Sequence, residues 1–191
     1  MKKITVTLFA LMVLAQWFIP LRTVFQKESV ASGGKTFRFK TQPIDPSDPF
    51  RGRYIVLRFE AGTYRADTAI HWIMGETAYV TLEEDGEGFA RIGAISRQPP
   101  ENTTEFVRAS TGYVYDDGQL QLELPFSRFY LEESHASQAE QAYWSAATDT
   151  TQVTYAEVVV ENGNSSLVDV KINGKSIVAI VNELNRTREE D

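Results

Sequence analysis

The sequence predicts an α+β, β-rich protein: one N-terminal transmembrane helix followed by a mostly antiparallel β domain with one or two short helices. Three observations predict it. An uncharged apolar run fills residues 4–21. Several later segments alternate apolar and polar residues and are separated by Gly, Asn and Asp, as in antiparallel sheets. Two windows, 137–147 and 177–185, have helical composition or spacing instead.

The apolar run reads ITVTLFALMVLAQWFIPL and follows Lys2 and Lys3. As a helix it spans about 27 Å, close to the roughly 30 Å of a bilayer's hydrocarbon core. A cleaved signal peptide would need a small-x-small site, which residues 20–25 do not offer. A buried core helix would be shorter and amphipathic. We therefore expect a membrane anchor, with the long C-terminal domain translocated to the outside.

Composition excludes several kinds of function. The net charge of −7 disfavours nucleic acid as a partner, because acidic surfaces repel phosphate backbones. The absence of cysteine excludes disulfides, thiolate catalysis and Cys-ligated zinc. His71 and His135 are the only histidines, which removes most metal sites and catalytic triads. We therefore expect no cofactor and no metal.

Four regions follow from these patterns: an anchor at 1–21, a linker at 22–35, a β-rich domain at 36–186 and an acidic tail at 187–191. Ser137 and Glu140 have the spacing of a capping box, which predicts that a helix begins near Ser137. Strands are predicted at 36–40, 52–60, 77–82, 89–96, 112–115, 119–124, 152–161 and 166–172.

Residues 52–60 form the most informative predicted strand. Its alternation places Ile55, Leu57 and Phe59 on one face and Tyr54 on the other. The segment 45–59, DPSDPFRGRYIVLRF, resembles the signature of the bacterial GDYXXLXY family, Gly-Asp-Tyr-x-x-Leu-x-Tyr. Gly52, Tyr54 and Leu57 match that signature, whereas Arg53 replaces its Asp and Phe59 its final Tyr.

Two further stretches are similar to the family, 125–140 and 172–177. The resemblance implies a membrane-anchored bacterial domain of uncharacterised function. Together with the orientation argued above, it leads us to expect a single pass through the bacterial inner membrane, with the C-terminal domain in the periplasm. It supplies no catalytic residue. Because Arg53 departs from the signature, no role of the family's motif aspartate transfers to this chain.

The motif also suggests a binding surface. Three arginines fall within eight residues of an acidic protein, and guanidinium groups suit carboxylate or phosphate ligands. The alternative is an ordinary half-buried strand with exposed charges on its wet face. The candidate binding residues are Arg51, Gly52, Arg53, Tyr54, Arg58, Arg128, Tyr130 and Glu133.

The segment 132–135, Glu-Glu-Ser-His, is the best candidate for acid–base or metal chemistry. It lacks the ligand spacing of an HExxH site, and carboxylates at a helix start are favoured by the helix dipole alone. No catalytic residue is therefore assigned. The leading hypothesis is a non-enzymatic binding or accessory module for another inner-membrane protein. The alternatives are a membrane-tethered hydrolase using Glu133 and His135, and a sensor of small anionic ligands using Tyr54 and Arg128.

Overall fold

The computed structural model describes residues 4, 6, 9, 11–18, 20, 33–43, 54–65 and 71–189. Residues 11–18 are helical and are called α1. Among the described residues, none of the helices combines the length and apolar character needed to cross a bilayer. The predicted anchor, 4–21, includes residues 5, 7, 8, 10, 19 and 21, which lie outside the described residues.

The described residues form two five-stranded sheets and a two-stranded ribbon. The first sheet has the order β12-β11-β10-β1-β3, the second has the order β4-β8-β7-β5-β6, and β2 pairs with β9 in the ribbon. All of these strand pairs are antiparallel, so the prediction of a β-rich α+β domain is confirmed. The strands are β1 Lys35–Gln42, β2 Tyr54–Val56, β3 Arg58–Phe59, β4 Thr63–Arg65, β5 Thr77–Glu84, β6 Ala90–Ser96, β7 Phe106–Val114, β8 Gln119–Glu123, β9 Arg128–Tyr130, β10 Thr154–Glu161, β11 Asn164–Ile172 and β12 Lys175–Ser176; the later helices are α2 Glu133–Thr148 and α3 Ile177–Glu189.

Period-two alternation builds the core. Ile55, Leu57 and Phe59 are all buried, as their spacing predicts. The Phe39 ring contacts those of Phe59 and Phe126, with centroid distances of 5.6 and 4.8 Å. Clustering of three aromatic rings buries a large apolar area and adds favourable ring–ring geometry. This cluster fixes the motif segment against β1.

The predicted strand 52–60 is not continuous within its described part. It changes partner at Leu57: β2 pairs with β9, whereas β3 pairs with β1. Between the two strands, the Leu57 N–H donates to the Ser127 carbonyl at 2.8 Å. Because that bond satisfies the backbone at the break, the segment can serve two sheets without an unpaired buried amide.

Two Asn-Gly turns close the hairpins on either side of β11. Asn162 and Gly163 have φ of 49° and 79°, and Asn173 and Gly174 have φ of 50° and 84°. Positive φ at both central residues is the requirement of a type I′ turn, whose twist matches that of the flanking strands. The first turn lies between the predicted strands 152–161 and 166–172, whereas the second leads into β12, which is not among the predicted strands.

The β5–β6 hairpin packs its turn onto the first sheet. Arg38 donates to the carbonyl oxygens of Gly88 and Glu87, at 3.1 and 3.2 Å. Lys40 forms an ion pair with Glu87 at 2.7 Å, and this hydrogen bond raises the pKa of Lys40. Phe89 stacks edge-on against Tyr155, with ring centroids 5.7 Å apart. The second sheet is thereby attached to the first at this end.

The helix boundaries differ from the predicted ones. α2 begins at Glu133 with Glu132 as its N-cap, so the predicted start near Ser137 is wrong. The Ala136 N–H donates to the Glu132 carbonyl at 3.0 Å, so the first helical turn is formed before Ser137, and Ala136 and Ala139 are buried. α3 continues to Glu189, beyond the predicted 185, and β1 begins at Lys35, one residue before the predicted domain.

Candidate functional site

The β2–β9 ribbon carries three of the predicted binding residues. Its register pairs Tyr54 with Tyr130, Ile55 with Phe129 and Val56 with Arg128. Ile55 and Phe129 are buried on the inner face. Because side chains alternate along a strand, the other two pairs share the opposite face. The ribbon therefore presents two tyrosines and an arginine together.

These three side chains contact one another. The Arg128 guanidinium lies 5.3 Å from the centroid of the Tyr54 ring, within the range of a cation–π interaction. The Tyr54 and Tyr130 rings are tilted, with centroids 5.5 Å apart. Tyr130 is 66% exposed. We call this cluster of Tyr54, Arg128 and Tyr130 the aromatic–arginine face.

A groove of about 1390 Å³ lies beside the ribbon. One part of its lining is the motif segment, from Val56 to Phe59, and another is the turn and start of β11, from Gly163 to Ser165. Val56 belongs both to the outer face of the ribbon and to the groove lining, so the two features are continuous.

The polar face of the second sheet contributes further lining. Ala78, Val80 and Leu122 point into the core. The residues that alternate with such core positions along β4, β5, β7 and β8 point the other way, and several of them line the groove: Thr63, Thr77, Arg108, Ser110, Gln121 and Glu123. Cross-strand pairing places Ser110 between Thr77 and Glu123. The groove therefore offers a row of hydroxyl, amide and charged groups.

In the part of the chain that the structure describes, the charged residues of the groove lining are Arg58, Arg108 and Glu123. Arg108 donates from Nη2 to the side-chain oxygen of Asn164 at 3.3 Å. Its backbone N–H donates to the Gly163 carbonyl, also at 3.3 Å, beside an isolated parallel bridge between Val107 and Gly163. These bonds bring the β10–β11 turn to the edge of the second sheet and position Arg108.

Gly163 is required for this close approach. A Cβ atom at Gly163 would lie 2.9 Å from Phe106 Cε2 and 3.3 Å from Arg108 Cγ. Real Cβ contacts are longer, so only glycine allows the turn to pack against β7 here. Its φ of 79° independently favours glycine.

The other predicted site residues are distributed differently. Arg58 lines the groove, whereas Arg51, Gly52 and Arg53 lie outside the described residues. Glu133 begins α2, and its side chain is not among those described. His135 Nδ1 lies 3.9 Å from the Glu132 carboxylate, which is 82% exposed. That distance is too long for a hydrogen bond, so the pair is a loose, solvated one.

Across the described ranges, no group of three or more His, Cys, Asp or Glu side chains is placed to hold a metal ion. Sequence reasoning missed Arg108, Glu123 and Asn164, which line the same groove as Arg58. No local pattern marks them, because the lining comes from segments that are far apart in the sequence.

The family model of the GDYXXLXY proteins matches residues 16–170. The chain belongs to the GDYXXLXY family. The matched range contains the ribbon, the groove lining and the stretch 125–140, so both surface features lie within the GDYXXLXY domain. The stretch 172–177 and α3 lie beyond it. No curated protein matches the chain, and no solved structure does.

Proposed function

We propose that this GDYXXLXY protein is a non-enzymatic binding module, anchored in the bacterial inner membrane, that docks on another membrane protein through the aromatic–arginine face. The observation that carries the proposal is the contact between Tyr54, Arg128 and the largely exposed Tyr130. Tyrosine and arginine are enriched among residues that dominate binding energy at protein interfaces. A rigid tyrosine pair also loses little conformational entropy when a partner covers it.

Support for the anchor comes from the apolar N-terminal segment. In its described part, eight large apolar side chains are more than half exposed: Ile4, Val6, Phe9, Leu11, Met12, Leu14, Trp17 and Phe18. Leaving that much apolar surface in water is unfavourable, and soluble proteins rarely do so. Lipid would cover it on all sides.

The anchor is tested by alkaline extraction of bacterial membranes. The full chain should remain with the membrane, whereas L11K/L14K should move largely to the soluble fraction, because lysine is strongly disfavoured at a bilayer's centre. Protease added to spheroplasts should then digest the domain if it is periplasmic. Release of the unaltered chain by alkaline extraction would contradict the membrane anchor. Protection of its domain from protease would contradict the periplasmic location.

Docking is tested by placing a photo-crosslinking amino acid at Tyr130 in intact cells. The matched control carries the same group at Gly86, in the exposed turn of the β5–β6 hairpin, where a Cβ atom would meet nothing within 4 Å. We expect one dominant membrane-protein adduct from position 130 and none of that mass from position 86. Identical adduct patterns from both positions would mean that the aromatic–arginine face is not the docking surface.

The adduct should also depend on its neighbours. R128Q and Y54L should each reduce the yield at position 130 several-fold, since both remove a contact that fixes the face. R65Q, at the exposed end of β4, should leave the yield unchanged. If the adduct yield were undiminished in R128Q and Y54L, Tyr130 would lie near the partner without the aromatic–arginine face contributing to docking.

A further inference from the structure

We infer that the groove beside the ribbon binds an extended acidic peptide segment of the docked partner, with Arg58 and Arg108 binding its carboxylates. The inference rests on the proposed function and adds to it the chemistry of the partner. It concerns a surface next to the aromatic–arginine face, joined to it through Val56.

Size favours a chain over a metabolite. Pockets for small molecules typically have volumes of roughly 300–1,000 Å³. The groove, at about 1390 Å³, exceeds that range. Its lining comes from strands of both sheets and from the ribbon segment, so an occupant that fills it touches several elements of the fold. A peptide segment is large enough to do so.

The lining matches the backbone of a peptide as well as its length. Thr77, Ser110 and Gln121 offer hydroxyl and amide groups along neighbouring strands of the second sheet. Peptide N–H and C=O groups need such partners when they leave water. Two exposed apolar residues of the lining, Val56 and Pro125, provide contacts for side chains of the peptide.

Charge selects an acidic segment. Over the residues that the structure describes, the groove lining has two arginines and one carboxylate, Glu123, although the chain as a whole carries −7. Arg108 bonds to a neutral amide, that of Asn164. Among the described residues, no carboxylate lies within ion-pair distance of Arg58. Guanidinium groups bind carboxylates through paired, charge-assisted hydrogen bonds, so two arginines in this setting favour Asp and Glu side chains.

The inference is tested with the full chain in mild detergent on an array of decapeptides whose Asp and Glu content is graded, each paired with its Asn and Gln counterpart. We expect the acidic member of a pair to bind about tenfold more tightly. R58Q and R108Q should each lower that preference about threefold or more, and the double variant should abolish it. R65Q is the matched control, because Arg65 is exposed but does not line the groove.

The outcomes separate the inference from the proposed function. Peptide binding with no acidic preference, or a preference that R58Q/R108Q leaves intact, overturns the inference. Absence of binding by every peptide also overturns the inference. If position 130 still gives its specific crosslinked adduct in that case, the docking proposal is unaffected. Arginine-dependent binding of a heparin decasaccharide without peptide binding would replace the acidic peptide by an acidic glycan. Thermal unfolding of each variant excludes loss of the fold as the cause.

Discussion

Arg128 and Tyr54 lie on neighbouring strands of the β2–β9 ribbon, two residues out of direct register and therefore on the same face, with the guanidinium 5.3 Å from the tyrosine ring's centroid. The contact joins the motif segment to the segment that follows β8. The Leu57 amide adds a second link, by donating to the Ser127 carbonyl. A side-chain interaction and a backbone bond thus hold the same two segments together, so the motif tyrosine serves to position the ribbon as well as to form its exposed face.

The first prediction measures the Arg128–Tyr54 contact. In a double-mutant cycle of Y54L and R128Q, the free energies of unfolding should deviate from additivity by about 0.5–1 kcal/mol, as for partly exposed cation–π pairs. Urea unfolding of the full chain in mild detergent supplies the four values. R128Q combined with Y113L, whose exposed tyrosine lies on β7, should be additive. Additivity in both cycles would show that the ring contact contributes nothing to stability.

The second prediction uses three glycines that differ in backbone and surroundings. G86A should change the free energy of unfolding by less than about 0.5 kcal/mol, because Gly86 is unstrained and open. G75A should cost about 1 kcal/mol, since Gly75 has φ of 82° but free space for a Cβ atom. G163A should cost about 2 kcal/mol or more, because strain and overlap with Phe106 add.

The order of these three costs matters more than their absolute size. If G163A cost no more than G75A, the close packing of the β10–β11 turn against Phe106 would be relieved easily. The turn would then not be the element that positions Arg108. Thermal unfolding monitored by circular dichroism ranks the three variants under identical conditions.

Features encoded by neighbouring residues could be predicted from the sequence, whereas features made by distant pairing could not. Ile55, Leu57 and Phe59 are buried as their alternation predicts, and the turn at Asn162-Gly163 lies between two predicted strands. Tyr54, Arg128 and Tyr130 were all candidates, but only the strand pairing brings them into contact. Arg108 and Asn164 are 56 residues apart and carry no shared local signal.

The local capping signal does not mark the start of α2. Ser137 and Glu140 have capping-box spacing, yet Ser137 lies inside the helix, one turn after its start at Glu133. S137A should therefore stabilise the protein slightly, by up to about 0.5 kcal/mol, since alanine has the higher helix propensity. A helix-capping serine would behave in the opposite way and cost about 0.5–2 kcal/mol. Urea unfolding of S137A, compared with S145A on the same helix, distinguishes the two.

The last prediction concerns pH and the turn that attaches the β5–β6 hairpin to the first sheet. The Asp85 carboxylate accepts hydrogen bonds from the amides of Phe89 and Glu87, at 2.8 and 2.9 Å, and these bonds lower its pKa below the ordinary value. A carboxyl whose pKa is lower in the folded state stabilises that state above its unfolded pKa, near 3.9, and the benefit is lost as pH falls through the folded pKa. D85N should consequently lower the unfolding temperature at pH 7, and its difference from the unaltered chain should shrink steadily below about pH 4. Because the largest contribution comes from a backbone amide rather than from Lys40, the difference at pH 7 should persist in 1 M salt, which screens exposed charges over about 3 Å. An equal difference at pH 7 and pH 3 would mean that Asp85 stabilises the turn through its shape and not through its charge.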